Sequence, residues 1–483
     1  MNFLTSFEYC HQYCNESPFS PGIYYPEYPF NDISTNPNYV YDAVRKHLFN
    51  LGLDKDNFGE KSWNPFQEYK LIGKKILIKP NWLKHIHAEN ETIWCVITHP
   101  SFIRVILDYI FIATKGNCTI TIGDSPIQEA DFNKIVELSK IKEMQSYFNN
   151  HNLHFEIEDF RYERAIRNKG GELIKTELLR VDLNRSVAIN LFDDSLHKAI
   201  DTDYKRYRVT SYNKKEMLNH HRPGHHEYLV NRTAIECDFF INIPKAKTHQ
   251  KVGVTLSLKN MIGITCSKDW LPHHRQGVKS EHGDEYKNLF FFQWLGVYFI
   301  ELSEMQKRFL TRKAFLYLSR VFWKMHRAIC KVFNLKYYSE GSWYGNDTLW
   351  RTCLDINRIL FYSNKNGILE ENINKDYLTI IDGVIGGEKE GPLRPTPIES
   401  NFTVASLNPA LADYVATYAM GLDPFKIPVI KYSFLITKYP LCKIKTRDIK
   451  VVSSFSELNG SVNNIKNINK FKPSAGWENQ IEL

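Results

Sequence analysis

The sequence predicts an α/β protein: a mixed or parallel sheet flanked by helices, with an inserted amphipathic helical segment. Three observations predict it. Short β-branched runs ending in polar residues begin at Lys74, helical stretches alternate with them, and 43% hydrophobic residues in a chain of 483 supply a sizeable core.

Residues 1–70 come first and read differently. Their Pro, Tyr and Asn content (SPFSPGIYYPEYPFNDISTNPNYV) favours an irregular arm wrapped on the body and away from the chemistry, with a helix near Tyr39–Leu51. The strand runs follow: KKILIKPNW, CTITIGDSP, FEIEDF, SVAINLF, DFFINIPKAKTH and YLTIIDGVIGGEKEG. Helices are expected over Pro100–Thr114 after the first run and over Pro409–Met420 after FTVASL. This texture divides the chain into an α/β core at 71–285 and 341–435, a helical insertion at 286–340, and a basic, Asn-rich tail at 436–483. The FKPSAGW segment of that tail is expected to dock back onto the body.

With 24% charged residues the composition excludes a wholly disordered, collagenous or polytopic membrane chain. Nine cysteines without CxxC spacing imply neither a disulfide framework nor a zinc ribbon, and Cys10 with Cys14 alone make a weak metal claim. Nothing near Met1 reads as a signal peptide, and no run reaches the roughly 18 apolar residues of a membrane span, so a cytoplasmic location is expected.

The formal charge of +8 is concentrated in one place. Residues 307–336 hold nine Lys or Arg and no acid, which leaves the remainder of the chain near neutrality. A nucleic-acid partner is therefore not expected. Leu310, Ala314, Tyr317, Val321, Met325, Ala328 and Val332 recur at helical steps, with Lys313, Arg320, Lys324, Arg327 and Lys331 on a separate face and Phe309, Phe315, Phe322, Trp323 and Phe333 flanking both. LFFFQWLGVYFI lies just upstream. The pattern suits a helix in an anionic membrane interface on the inner face of the cell membrane; the competing reading is a lid packed on the core with its basic face solvated.

Ligands of open α/β sheets gather at the carboxyl ends of strands, where the polar clusters of this chain fall. Lys79 and Asn81 follow KILI, offering an anion clamp or merely a lysine reaching solvent. Asp124 and Ser125 follow CTITI, either presenting a carboxylate and a hydroxyl to a ligand or capping a turn. The densest group is INIPKAKTHQKVGVTLSLKNMIG, with Lys245, Lys247 and His249 and then Lys259 and Asn260. Lysines converging there repel unless an anion lies among them, and His249 offers a general acid or base. Arg275 follows two further histidines and is a candidate substrate ligand. The run from Asp382 to Glu390, joined by Glu388 and Asp413, offers oxygen ligands to a divalent cation; a helix-capping role for Asp413 competes. Clustered histidines permit a metal site, with His226, His249, His274, Asp124 and Asp382 as candidate ligands, although no HExxH-like spacing defines it.

These pieces in this order, KPNW, GDSP, INIPKAKTHQKVGVTLSLKNMIG, DGVIGGEKEGP and NPALADYVATYAMG, resemble the domain of unknown function 362 family over residues 75–435. The stretches HHEYLVNRTAIECD and WYGNDTLWRTCLDINRIL resemble a bacterial subgroup of it. The resemblance implies an α/β domain and leaves the reaction open. Some relatives carry a CxxCxxCxxxCP segment; this chain has none, so no iron–sulfur cluster is expected. Members also occur beside surface-polysaccharide genes.

The expected function is an enzyme, membrane-peripheral, acting on an anionic small molecule or lipid-linked intermediate held by Lys79, Lys247 and Lys259. His249 would move the proton, and Asp124, Asp382 and Glu390 would hold a divalent cation or polarise hydroxyls. An isomerase, epimerase or transferase step is favoured over hydride transfer, since no dinucleotide fingerprint is present. A ligand-binding or scaffold protein at the membrane is the alternative, and a histidine metalloenzyme using His226, His249 and His274 a third.

Overall fold

The computed structural model describes residues 4–167, 173–179, 183–209, 214–306, 308–338 and 340–483. Lys307, at the start of the basic segment, lies outside the described residues. The β-branched runs form strands, as their pattern predicts. They are β2 (Lys75–Pro80), β3 (Thr119–Asp124), β4 (Phe155–Asp159), β5 (Phe239–Ile243), β6 (Lys245–His249), β7 (Gly253–Thr255), β8 (Asp376–Glu390) and β9 (Arg394–Ser406). With β1 (Leu4–Tyr9), β10 (Lys450–Val452) and β11 (Gly460–Ser461) they make an 11-stranded mixed sheet.

The path across that sheet is β11-β10-β1-β9-β8-β5-β2-β3-β4, with β6 and β7 attached beside β8. Strands β4, β3, β2, β5 and β8 are mutually parallel. The chain steps outward from β2 to β3 to β4, then returns to lay β5 on the other side of β2. This reversal of strand order at β2 and β5 marks the carboxyl edge of the sheet as the place for a crevice.

Strand alternation assigns the two faces. Ile76, Ile78, Phe239 and Ile241 enter one core with Trp63 and with helices α1 (Tyr39–Asn50) and α2 (Ser101–Thr114). Leu77 and Phe240 enter the other with helices α6 (Leu349–Tyr362) and α7 (Pro409–Ala419). In chain order α3 (Ser257–Asn260), α4 (Phe291–Met305) and α5 (Phe309–Val332) come between α2 and α6. Helix starts are chemically marked: the Asn38 side chain accepts from Tyr41 N at α1, and Asn408 accepts from Ala410 N and Leu411 N at α7, where Pro409 opens the first turn.

The first 70 residues are not uniformly irregular. Leu4–Tyr9 pairs antiparallel with β9 and parallel with β10, so both the arm and the tail supply strands to the sheet. The strand hid because half of it is polar. Thr5, Ser6 and Glu8 are fully buried, and Glu8 accepts from Asn50 Nδ2 at 2.8 Å and from Ser454 N at 2.6 Å. The tail docks through Trp477, whose Nε1 donates to Gln250 O at 2.7 Å.

Helices α4 and α5 pack on each other. Gly296 lies under the Trp323 ring, Ser319 Oγ donates to Gly296 O at 2.8 Å, and Phe299 stacks on Phe322 at 5.4 Å. The stripe read from the sequence points outward instead: Leu310 is 79% exposed, Tyr317 67%, Met325 41% and Val332 77%. A lid packed on the core through that stripe is therefore not what forms. No helix among the described residues is long and apolar enough to cross a membrane.

Candidate functional site

The crevice is built from the ends of β2, β3, β5 and β6. In the β2–β5 register Lys79 lies beside Asn242, and in the β6–β8 register Lys245 lies beside Asp382. Two buried ion pairs result. Lys79 Nζ is 2.7 Å from Asp124 Oδ1, and Lys245 Nζ is 2.9 Å from Asp382 Oδ1.

Both pairs are fully framed. Asp124 also accepts from Trp82 N (2.6 Å) and Ser125 N (2.8 Å), which explains why Asp and Ser must follow this strand directly. Ser125 N in turn donates to Gly263 O at 2.9 Å. This backbone approach demands glycine: a Cβ on Gly263 would lie 2.0 Å from Asp124 Oδ1 and 2.5 Å from Lys79 Nζ. Asp382 accepts from Tyr13 Oη at 2.7 Å and His99 N at 3.0 Å, and Tyr13 stacks on the His99 ring at 4.0 Å. The arm thus contributes a side chain to the site, contrary to the expectation that it carries no chemistry.

An amide relay joins the strand ends. Asn260 Oδ1 accepts from Asn81 Nδ2 (2.7 Å) and Lys79 Nζ (3.3 Å), while Asn260 Nδ2 donates to Asn242 Oδ1 (2.7 Å). Lys247 Nζ donates to Asn81 Oδ1 (2.8 Å) and Val96 O (2.6 Å). Lys268 Nζ donates to Ser125 Oγ and Ser125 O, each at 3.1 Å. Lys259, partly exposed, has no hydrogen-bond partner among the described residues. Among the described residues, three lysines therefore stand here without a carboxylate within ion-pair distance. They feel one another: burial, with Lys259 among its neighbours, pulls both Lys247 and Lys268 down to about 7.

His249 belongs to the same cluster in a different role from the expected one. Burial first, then Lys259, Lys247 and Lys251, hold its imidazole well below the ordinary value, so it is neutral. Its Nδ1 accepts from Lys251 N at 3.0 Å, which leaves Nε2 carrying the proton. It is a neutral donor, and the groups poised near 7 are Lys247 and Lys268.

Other sequence candidates go elsewhere. Glu390 accepts from Ala475 N and Gln250 Nε2, and Glu388 from Lys472 N, so this acidic run anchors the tail and does not gather around a cation. Asp413 caps α3 through Ser257 N (2.7 Å) and Leu258 N (2.9 Å). Arg275 lies against Asp284 and Asp347, each at 3.6 Å. His274 faces Glu285 at 3.8 Å and His226 faces Asp201 at 3.4 Å, so His226, His249 and His274 do not assemble into a metal centre. Asp124 and Asp382 hold separate lysines and share no ligand position. Tyr13, His99, Asn242 and Lys268 were missed; only Asn242 and the demanding Gly263 lay inside a motif that the sequence marked.

Fold and site together define an open α/β-sheet protein with a buried basic crevice at its switch point. The chain belongs to the DUF362 family, a domain of unknown function, whose sequence profile matches residues 76–192 and 196–418. No curated protein matches the chain. Among solved structures, a protein from Thermotoga maritima, a structural genomics target, aligns at 11% identity with a TM-score of 0.29. The alignment covers 74% of this chain and 53% of that one, so the chain spans about half the length of that protein.

Proposed function

We propose that the chain is an enzyme acting on a phosphate- or carboxylate-bearing small molecule, or a lipid-linked intermediate, bound at the carboxyl edge of β2 and β5. The single observation behind this reading is the trio Lys247, Lys259 and Lys268, three buried or partly buried lysines with no carboxylate partner among the described residues. Uncompensated buried charge is costly, and an anionic substrate supplies the missing counter-charge. Lys259 and Lys268 hold the anion. Lys247, divided between amine and ammonium at neutral pH, exchanges a proton with the substrate, while His249 donates from Nε2 to developing negative charge. Such machinery suits an isomerase, epimerase or transferase step. Inorganic phosphate or pyrophosphate should raise the melting temperature of the wild type and leave Lys259→Met unmoved; equal shifts in both proteins would refute the reading. A binding or scaffold protein remains distinguishable, because it would need the lysines and not the proton-exchanging amine of Lys247.

A second observation favours a peripheral membrane location, which surface-polysaccharide chemistry would suit. Leu310, Tyr317, Met325 and Val332 on α5 and Phe291, Trp294 and Tyr298 on α4 are exposed, as are Arg312, Lys313, Arg320, Lys324, Arg327 and Lys331. Apolar side chains ringed by cations suit an anionic lipid interface. Deleting 286–340 should abolish flotation with phosphatidylserine vesicles; flotation of the wild type no better than the deletion would remove this location.

A further inference from the structure

The lysine crevice and the exposed helix pair are joined at one place. Residues 273–290 lead into α4, and the segment through Glu340 and Asn346 leads away from α5 towards α6. These two connections are laced together. Asn346 Nδ2 donates to His273 O and to Gly341 O, each at 2.9 Å, Gly341 N donates to Glu285 O at 3.0 Å, and Trp343 Nε1 donates to Asp284 O at 2.9 Å.

Both connections also reach the crevice. Lys251, whose backbone N–H fixes the His249 tautomer, has its Nζ 3.8 Å from Glu340 Oε2. His273 donates from Nδ1 to Leu271 O at 2.7 Å. Burial, together with Lys251, Lys259 and Lys268, holds its ring well below the ordinary value, so His273 lies in the field of the same lysines.

Contacts between α4 and its partner run in opposite directions, from Phe290 with His326 (5.4 Å between rings) through Gly296 with Ser319 to Phe299 with Phe315 (6.0 Å). The start of α4 and the end of α5 therefore share the root that borders the crevice. Exposed apolar side chains begin there. Phe291, Trp294 and Tyr298 follow one face of α4, their ring centroids 6.5 Å and then 5.5 Å apart, and Val332 and Phe333 stand exposed at the end of α5. Arg327 and Lys331 are exposed on the same two turns, with no acid anywhere in 307–336. Aromatic side chains settle at the headgroup level of a bilayer and cations beside them attract anionic lipid. Docking through this root brings the crevice to the phosphates of the membrane surface.

The geometry points to a membrane-borne substrate: an amphiphile whose phosphate enters the crevice at Lys259 and Lys268 while its hydrocarbon stays in the bilayer on which α4 and α5 rest. The inference rests on the reading of those lysines as an anion site, and narrows its substrate from small molecules in general to phosphate-headed lipids.

The test is binding of the full chain to phosphatidylcholine vesicles carrying phosphatidic acid, compared with vesicles of equal surface charge carrying phosphatidylserine. Phosphatidic acid offers a bare phosphate monoester, and the wild type should bind it about 10–100-fold more tightly, the worth of a hydrogen bond to a charged group. Lys259→Met should lose that preference and keep the weaker binding to phosphatidylserine. The double variant Phe291→Ser/Trp294→Ser should lose both vesicles, yet its melting temperature should still rise with pyrophosphate, which also shows that it folds. Equal binding of the wild type to the two vesicles, or a preference that survives in Lys259→Met, would overturn the inference. So would binding to neither vesicle, which would leave the helix face to a protein partner. In each case a pyrophosphate shift that still separates the wild type from Lys259→Met would keep the anion site and remove only its lipid substrate; loss of that separation would remove the site itself.

Discussion

Lys79 and Lys245 each rest on a carboxylate, whereas Lys247, Lys259 and Lys268, brought to the same crevice from β6, α3 and the segment after it, rest on neutral oxygens or on nothing among the described residues. The difference separates two uses of one residue type. The paired lysines tie strands together and carry no net charge. The unpaired ones leave the crevice electropositive, and only a ligand from outside supplies the balance. Mutations should therefore act with opposite signs in the two sets.

The largest expected effect is on a paired lysine. Asp124→Asn leaves Lys79 buried without its counter-ion and should cost about 3–5 kcal/mol, measured by urea denaturation; a cost below about 1 kcal/mol would erase the distinction between the sets. Gly263→Ala strikes the same pair by steric means and should cost about 1–3 kcal/mol. Lys259→Met, in the unpaired set, should leave the empty protein as stable or more so. It should at the same time weaken phosphate binding by about 1.5–3 kcal/mol, the range of a charge-assisted hydrogen bond, in calorimetric titration.

The sharpest test uses pH. The Lys247 amine is held near 7 in the folded chain against about 10.4 when unfolded. Between these values the unfolded state binds the extra proton, so stability rises with pH from about 7 to 10. Phosphate affinity should fall over the same interval, because the ammonium charge of both Lys268, which holds the anion, and its neighbour Lys247 is lost there. Lys247→Met should flatten its share of both slopes; slopes unchanged in that variant would show that Lys247 does not titrate there.

Much of this architecture was legible in the sequence, for local reasons. KILI, TITI and FFINI alternate β-branched and aromatic residues and stop at polar ones, so Lys79, Asp124 and Lys245 were found at strand ends. Their partners were another matter. Tyr13 and Lys268 sit in segments with no chemical signature and reach the site by tertiary contact alone. The charge state of His249 also needed the structure, because it depends on three lysine neighbours and on burial. On α5 the periodicity located an apolar stripe correctly, but periodicity does not say whether such a stripe faces in or out.

The contact between Tyr13 and Asp382 spans 369 residues. At roughly 5–20 residues per second of synthesis, β1 and the segment after it that carries Tyr13 leave the ribosome tens of seconds before the strand that carries Asp382. During that wait β1 has neither β9 nor β10 to pair with, and its buried Glu8, Ser6 and Thr5 face water instead. A polar edge of this kind resists sticking to other nascent chains. The same side chains that hid the strand from a hydrophobicity reading therefore protect it until the rest of the sheet arrives.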